Sequence, residues 1–169
     1  VNFTYGDNVF LPYSTGLLAA AIKENQEINK TWALDKLLYL RTDIEENLDQ
    51  LSKSDLVGFS CYIWNWEYTL ELAKKVKFNN PKVVIVFGGP QVPHQEENVF
   101  EKYPFIDLII VGEGELAIQE ILKCLSANNN VDLSEITGLV INENLKKVVT
   151  PPRVRLDELS NLPSPYLSG

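Results

Sequence analysis

The 169-residue sequence contains one histidine, two cysteines and no methionine, and the first two shortages exclude whole classes of site. A single histidine, His94, cannot form a histidine-based metal cluster. The two cysteines, Cys61 and Cys124, are far apart in the sequence, so they cannot build a disulfide framework or a thiolate metal site. Isolated thiols of this kind favour a reducing cytoplasm as the compartment.

Positive charge and long apolar runs are also scarce. There are 15 basic residues and 23 acidic ones, which gives a net charge of −8. Nucleic-acid-binding proteins need a clustered basic surface, and a membrane span needs about 20 consecutive apolar residues. The sequence therefore predicts neither a nucleic-acid partner nor a membrane partner. It begins on Val1 and ends in a linker-like segment at 161–169, so we expect it to be a piece of a longer protein.

Short apolar runs alternate with segments of helical periodicity along most of the chain, which is typical of βαβ units and a mostly parallel sheet. The predicted fold is a doubly wound α/β domain of the flavodoxin or Rossmann type. It has a five-stranded sheet in the order 2-1-3-4-5, helices on both faces and a C-terminal edge hairpin. The predicted strands are 1–5, 28–34, 55–60, 83–87 and 106–111, with helices near 17–25, 44–51, 66–78, 96–102 and 118–125 and the hairpin over 136–150.

Ligands of open α/β sheets bind at the carboxyl ends of the strands, and four loops of this sequence are expected there. They are residues 5–16, 60–65, 88–94 and 112–115. Glycines at such an end let a bulky ligand lie against the backbone, although they could equally serve only to turn the chain. The glycines match neither a dinucleotide-binding turn nor a phosphate-binding loop.

The motifs of these loops, in this order, resemble the N-terminal cobalamin-binding domain of cobalamin-dependent radical S-adenosylmethionine (SAM) enzymes. The most similar pattern is that of the anaerobic magnesium-protoporphyrin IX monomethyl ester oxidative cyclase-like group. The resemblance covers nearly the whole chain. The residues that carry it are Leu11-Pro12, Gly16 to Ala19, Gly58-Phe59-Ser60, Gly88-Gly89-Pro90, Asp107, Val111 to Glu115, Thr137-Gly138-Leu139, Arg155 to Leu159 and Leu162 to Pro165.

The resemblance implies that the cofactor is cobalamin, held by all four loops. Gly88 and Gly89 take the place of paired glycines that admit the nucleotide tail of cobalamin between sheet and helices. The Asp-x-His-x-x-Gly motif, which supplies an axial imidazole in many cobalamin proteins, is absent, so cobalt is expected to be bound without a histidine; no metal-ligating or catalytic side chain is predicted. The expected cofactor-binding residues are Leu11, Pro12, Ser14, Thr15, Gly16, Ser60, Cys61, Tyr62, Trp64, Gly88, Gly89, Pro90, Gly112, Glu113, Gly114 and Glu115.

The resemblance also implies a division of the chain. Residues 1–150 would form the cobalamin-binding domain, and residues 151–169 a linker toward a radical SAM domain that is absent from this chain. SAM and the [4Fe–4S] cluster would belong to that domain, because the Cys-x-x-x-Cys-x-x-Cys motif is missing here. The full-length protein would transfer a methyl group or cyclise a small-molecule substrate oxidatively, whereas this fragment alone would not be catalytic.

Two alternatives remain open from the sequence. The domain could have kept its fold and lost cobalamin, serving as a docking surface or lid for another domain. It could also be a flavodoxin-like enzyme that binds a small nucleotide.

Overall fold

The computed structural model describes residues 1, 12–40, 42–126, 132–158 and 162–167. Helices and strands alternate along the first two thirds of the chain, and a hairpin follows. The strands are β1 (Leu56–Ser60), β2 (Val84–Gly88), β3 (Leu108–Ile110), β4 (Leu139–Glu143) and β5 (Lys146–Val149). The helices are α1 (Tyr13–Glu24), α2 (Ile44–Leu51), α3 (Trp66–Asn79), α4 (Val99–Lys102) and α5 (Glu115–Ser126), with 3₁₀ turns at Ile28–Lys30 and Leu133–Glu135.

The five strands form one mixed sheet in the order β1-β2-β3-β4-β5. Strands β1, β2 and β3 are parallel, and β4 and β5 form an antiparallel hairpin on the edge of β3. The predicted α/β fold class, its parallel strands and its edge hairpin are confirmed. Val1 lies beside β1, since its amine donates to Gly58 O at 2.5 Å and its carbonyl oxygen accepts from Ser60 N at 2.8 Å. The rest of the predicted first strand lies outside the described residues.

The core lies on both faces of this sheet because strand side chains alternate between them. On one face, β1 and β2 pack Phe59 and Phe87 against helices α2, α3 and α4. On the other face, Val86 and Ile110 pack against α1 and α5. Helices therefore cover both faces, as predicted. In the described part of the chain, no helix is both long enough and apolar enough to cross a bilayer.

The predicted second strand, at 28–34, is wrong. Residues Ile28–Lys30 form a 3₁₀ turn, which begins where the side-chain oxygen of Asn25 accepts from Ile28 N at 3.3 Å. Ile28 is buried, and the indole nitrogen of Trp32 donates to Leu122 O at 3.0 Å, so both apolar residues lie against α5. Residues four apart share one face of a strand as well as of a helical turn, so the contacts with α5 and not the spacing decide the structure here. The second strand of the predicted order 2-1-3-4-5 is therefore absent. The predicted third, fourth and fifth strands are β1, β2 and β3, and the hairpin supplies β4 and β5.

Candidate functional site

The carboxyl ends of the three parallel strands lie side by side, and three of the predicted loops start there. We call this end of the sheet the carboxyl edge. Residues 61–65 follow β1, residues 89–94 follow β2 and residues 111–114 follow β3. Helix α1 reaches the same edge, because Ser14 Oγ lies 3.1 Å from Ser60 Oγ. The structure therefore brings together the described parts of all four predicted loops. Leu11 lies outside the described residues.

Glycine and serine leave little side-chain volume on the α1 face of β1 and β2, and we call this region the glycine slot. Gly58 and Ser60 in β1 share the α1 face of the sheet with Gly88 in β2, and Ser60 and Gly88 are register partners. Among the residues that the structure describes, a β-carbon on Gly58 would meet no atom within 4 Å, and one on Gly88 would meet only Ile110, at 3.8 Å or more. Side chains in a sheet covered by helices are normally packed more tightly. Gly58 is absent from the predicted site residues, although its spacing of two from Ser60 places both on one face of a strand.

Gly89 serves a different purpose from Gly88. Its φ is +103°, and a β-carbon there would lie 2.5 Å from the carbonyl oxygen of Cys61. The backbone nitrogen of Cys61 also donates a hydrogen bond to Gly88 O at 2.7 Å. The space beside Gly89 is therefore filled by the β1–α3 loop. Of the two adjacent glycines, Gly88 therefore leaves room for a side chain, whereas the backbone of Cys61 occupies that position beside Gly89.

The thiol of Cys61 points into the core instead of the edge. The residue is fully buried, and its Sγ lies 3.6 Å from Phe59 O. Burial raises the pKa of the thiol to about 12. Cys61 can therefore contact a ligand only through its backbone, and its protonated sulfur is a poor nucleophile.

An aromatic pair stands at the tip of the β1–α3 loop. The rings of Tyr62 and Trp64 are stacked with centroids 4.6 Å apart, and Trp64 is 42% exposed. Asn65 fixes the loop, since its amide nitrogen donates to Ser60 O and its side-chain oxygen accepts from Tyr62 N. Trp66, by contrast, is buried and packs edge-on against Phe87, so it belongs to the core.

At the amino end of α5, two carboxylates have different surroundings. Glu113 accepts a hydrogen bond from Leu156 N at 3.0 Å, so it holds the C-terminal segment. Glu115 Oε2 exposes less than 1 Å² and has no hydrogen-bond partner among the described residues. The chain between them passes close to α1, because a β-carbon on Gly114 would lie 3.2 Å from Leu18 Cδ2. Gly112 is exposed, with a φ of +89°.

The remaining predicted residues of α1 make local or C-terminal contacts. Thr15 is buried, and its hydroxyl donates to Pro12 O at 3.0 Å. Gly16 lies under Pro165, whose Cβ would be 3.1 Å from a β-carbon at this position. The ring of Tyr13 stacks on that of Tyr166. The segment 162–167 therefore covers the outer side of the α1 amino end.

A groove of about 720 Å³ lies beside the hairpin and is lined by His94, Glu113, Val140 and Arg155 among others. His94 Nδ1 lies 3.2 Å from Val92 O, and the ring belongs to this groove. Pro90 is exposed at the start of the same loop. Within the described ranges, no group of three or more histidine, cysteine, aspartate or glutamate residues could hold a metal ion.

Asp107, which belongs to the motif that carried the resemblance, lies at the opposite edge of the sheet. It precedes β3, accepts from Ile85 N at 2.7 Å and pairs with Lys77 Nζ at 2.8 Å. Lys77 also donates to Val83 O. Asp107 therefore joins the amino ends of β2 and β3 to the end of α3, which is a structural role.

Comparisons with known proteins identify a family for this fold. The family model of the B12 binding domain matches residues 18–122. The cobalamin-dependent radical SAM methyltransferase TokK of Streptomyces tokunonensis is 34% identical over 160 residues, which is 95% of this chain and 23% of that protein. The anaerobic magnesium-protoporphyrin IX monomethyl ester cyclase of Rubrivivax gelatinosus is 30% identical, over 65% of this chain and 20% of that protein.

A solved structure shows the same fold. The radical SAM methyltransferase TsrM from Kitasatospora setae, with cobalamin and a [4Fe-4S] cluster bound, superposes with a TM-score of 0.66 and 18% identity. The match covers 92% of this chain and 29% of that one. The chain thus spans about a quarter of the length of these relatives.

Proposed function

Because the chain belongs to the B12-binding domain family, we propose that it holds cobalamin as the cofactor-binding module of a longer radical SAM enzyme. The observation that carries this proposal is the glycine slot. It opens at the carboxyl edge of the sheet, where ligands of open α/β folds bind. A chain that served only as a docking surface would have no need for a strand glycine whose β-carbon would meet no described residue within 4 Å.

The residues around the slot fit the chemical groups of cobalamin. The nucleotide tail is narrow and needs a crevice, which Gly58 and Gly88 provide. Hydroxyl groups of Ser14 and Ser60 at the mouth can exchange hydrogen bonds with the ribose or the phosphate. The corrin is broad and flat, and the stacked pair Tyr62 and Trp64 offers an apolar surface beside it.

The proposed contacts divide by the part of each residue that can reach a ligand. Backbone atoms would serve at Cys61, Gly89 and Pro90, and at the glycines of the β3–α5 loop. Side chains would serve at Ser14, Ser60 and the two aromatic residues. The proposed cofactor-binding set keeps every residue that the resemblance implies and adds Gly58: Leu11, Pro12, Ser14, Thr15, Gly16, Gly58, Ser60, Cys61, Tyr62, Trp64, Gly88, Gly89, Pro90, Gly112, Glu113, Gly114 and Glu115.

When bound, cobalamin supplies bond formation and cleavage at cobalt. The described residues of this chain contribute binding, orientation and the exclusion of water. Neither cysteine is a candidate nucleophile, because burial raises the pKa of both thiols. We propose that cobalt is held without an imidazole ligand, since the only histidine of the sequence lies in the groove beside the hairpin.

We propose further that residues 151–169 link this domain to a radical SAM domain, which would be its partner and would carry SAM and the [4Fe–4S] cluster. The support is that matched relatives are several times longer and include radical SAM enzymes. Methyl transfer and oxidative cyclisation of a small-molecule substrate are the two reactions that the names of the relatives suggest.

Titration of the 169-residue chain with hydroxocobalamin tests the proposal. We expect a saturable change in the visible spectrum at equal stoichiometry, and cobalamin that stays with the protein through desalting. Circular dichroism confirms that the chain is folded under the same conditions. A folded chain with no spectral change would overturn the proposal and favour a docking module, and a flavin spectrum in the purified protein would favour a nucleotide enzyme.

A further inference from the structure

Glu115 carries a hydrogen-bond acceptor that the described residues leave unused. Its Oε2 is buried and has no donor among the residues that the structure describes. A buried acceptor without a partner is costly, and proteins retain few of them. The carboxylate stands in the first turn of α5, where the helix dipole favours a negative charge, and this offsets part of the cost. The remaining cost is removed when a ligand provides a donor.

Glu115 lies close to the proposed cofactor site. Gly114, the residue before it, lies against Leu18 of α1 and Ile110 of β3. The same Ile110 is the neighbour of Gly88 in the glycine slot. Helices α1 and α5 lie on one face of the sheet, so Glu115 stands on the slot side of the domain.

The chemistry of a carboxylate restricts the ligand group that it can meet. An ionised carboxylate only accepts hydrogen bonds, so its partner must be an N–H or O–H group. A ligand carboxylate or phosphate at this point would be repelled, all the more because Glu113 lies two residues away. The corrin ring of cobalamin carries peripheral amides, which are neutral donors, whereas its unamidated precursors carry carboxylates at the same positions.

We propose that Glu115 selects amidated corrinoids, by accepting a hydrogen bond from a peripheral amide N–H of cobalamin. This inference rests on the proposed function and adds a specificity-determining residue to it. It concerns recognition alone and involves no covalent step.

The test compares the wild-type chain with Glu115→Gln and Glu115→Ala, and uses Glu120→Gln as the matched control. Glu120 is on the same helix, but its carboxylate already has Arg153 as a partner. Each protein is titrated with hydroxocobalamin and with its b-, d- and e-monocarboxylic acids, in which one amide is a carboxylate. Thermal unfolding of each protein without cofactor supplies a readout that does not depend on binding.

We expect Glu115→Gln and Glu115→Ala to bind hydroxocobalamin about 10- to 100-fold more weakly than wild type, the range for a charge-assisted hydrogen bond. Glu120→Gln should bind as wild type does. One monocarboxylic acid should bind the wild-type chain about tenfold or more weakly than hydroxocobalamin, and Glu115→Gln should lose most of that discrimination. Without cofactor, Glu115→Gln should unfold at the same temperature as wild type or higher, because the uncompensated carboxylate is gone.

The outcomes separate this inference from the proposed function. If the wild-type chain binds hydroxocobalamin and both Glu115 variants bind it equally well, the inference is overturned and the proposed function stands. A lower unfolding temperature for Glu115→Gln would overturn it as well, since the carboxylate would then have a structural role. A wild-type chain that binds no cobalamin would overturn the inference together with the proposed function.

Discussion

Filling the glycine slot at Gly58 should separate cofactor binding from folding. A β-carbon at Gly58 would meet none of the described residues within 4 Å, and the φ of Gly58 lies outside the left-handed region. Gly58→Ala should therefore stabilise the cofactor-free chain by about 0.4–1 kcal/mol, because alanine has less conformational freedom to lose on folding. Gly58→Val should fold as well, since β-branched residues suit strands.

The same substitutions should weaken cobalamin binding, because they occupy the space that the nucleotide tail needs. Forcing extra methyl groups into a filled site costs about 1–3 kcal/mol, so Gly58→Val should raise the dissociation constant roughly 5- to 100-fold. Gly58→Ala should have a smaller effect in the same direction. The assay is spectral titration with hydroxocobalamin, paired with chemical unfolding of the cofactor-free chain.

Gly89→Ala is the matched control, because this glycine is required by the fold itself. Its φ of +103° and the 2.5 Å approach of a β-carbon to Cys61 O should together cost about 2–5 kcal/mol of stability. In a domain of this size, that corresponds to a fall of roughly 5–15 °C in the unfolding midpoint. Wild-type affinity in Gly58→Val, or unfolding of Gly58→Ala, would refute the reasoning about the slot.

Three further outcomes follow from individual contacts. Cys61 is fully buried, and burial raises the pKa of its thiol to about 12. Labelling by a thiol reagent at pH 8 should therefore require opening of the structure, and labelling of the folded chain within minutes would contradict this. Asp107→Ala should cost about 2–3 kcal/mol by chemical unfolding, whereas Asp49→Ala, which removes an exposed pair, should cost less than about 0.5 kcal/mol; equal losses would argue against the structural role. Glu113→Ala should release the C-terminal segment and speed tryptic cleavage after Arg155 several-fold, and an unchanged rate would show that other contacts hold it.

The sequence predicts the sheet well where strands are buried on both faces. Residues 83–87 form a continuous β-branched and aromatic run, and β2 lies within one residue of that prediction. Residues 28–34 include the apolar Ile28, Trp32 and Leu34, but Ile28 and Trp32 contact α5, and periodicity over so short a run cannot distinguish a strand from a helical turn. Packing against α5, which the sequence does not show, accompanies the 3₁₀ turn at Ile28–Lys30.

The predicted site shows the same division between pattern and packing. The loops that converge at the carboxyl edge follow from parallel strands, which alternation predicts. The sequence does not show which glycine leaves space. The missing side chain of Gly89 makes room for Cys61, whereas no described residue lies where a side chain of Gly58 would begin. That Glu115 Oε2 has no partner among the described residues is likewise visible only in the structure.

The position of cobalt in crystals of the cobalamin-loaded chain tests the central claim most directly. Anomalous scattering at the cobalt edge locates the metal without reference to the rest of the cofactor. We expect the peak beyond the carboxyl ends of β1 and β2, near Ser60, with the nucleotide tail against Gly58 and no imidazole nitrogen bound. A peak beside His94 in the hairpin groove, with the glycine slot closed, would contradict the account.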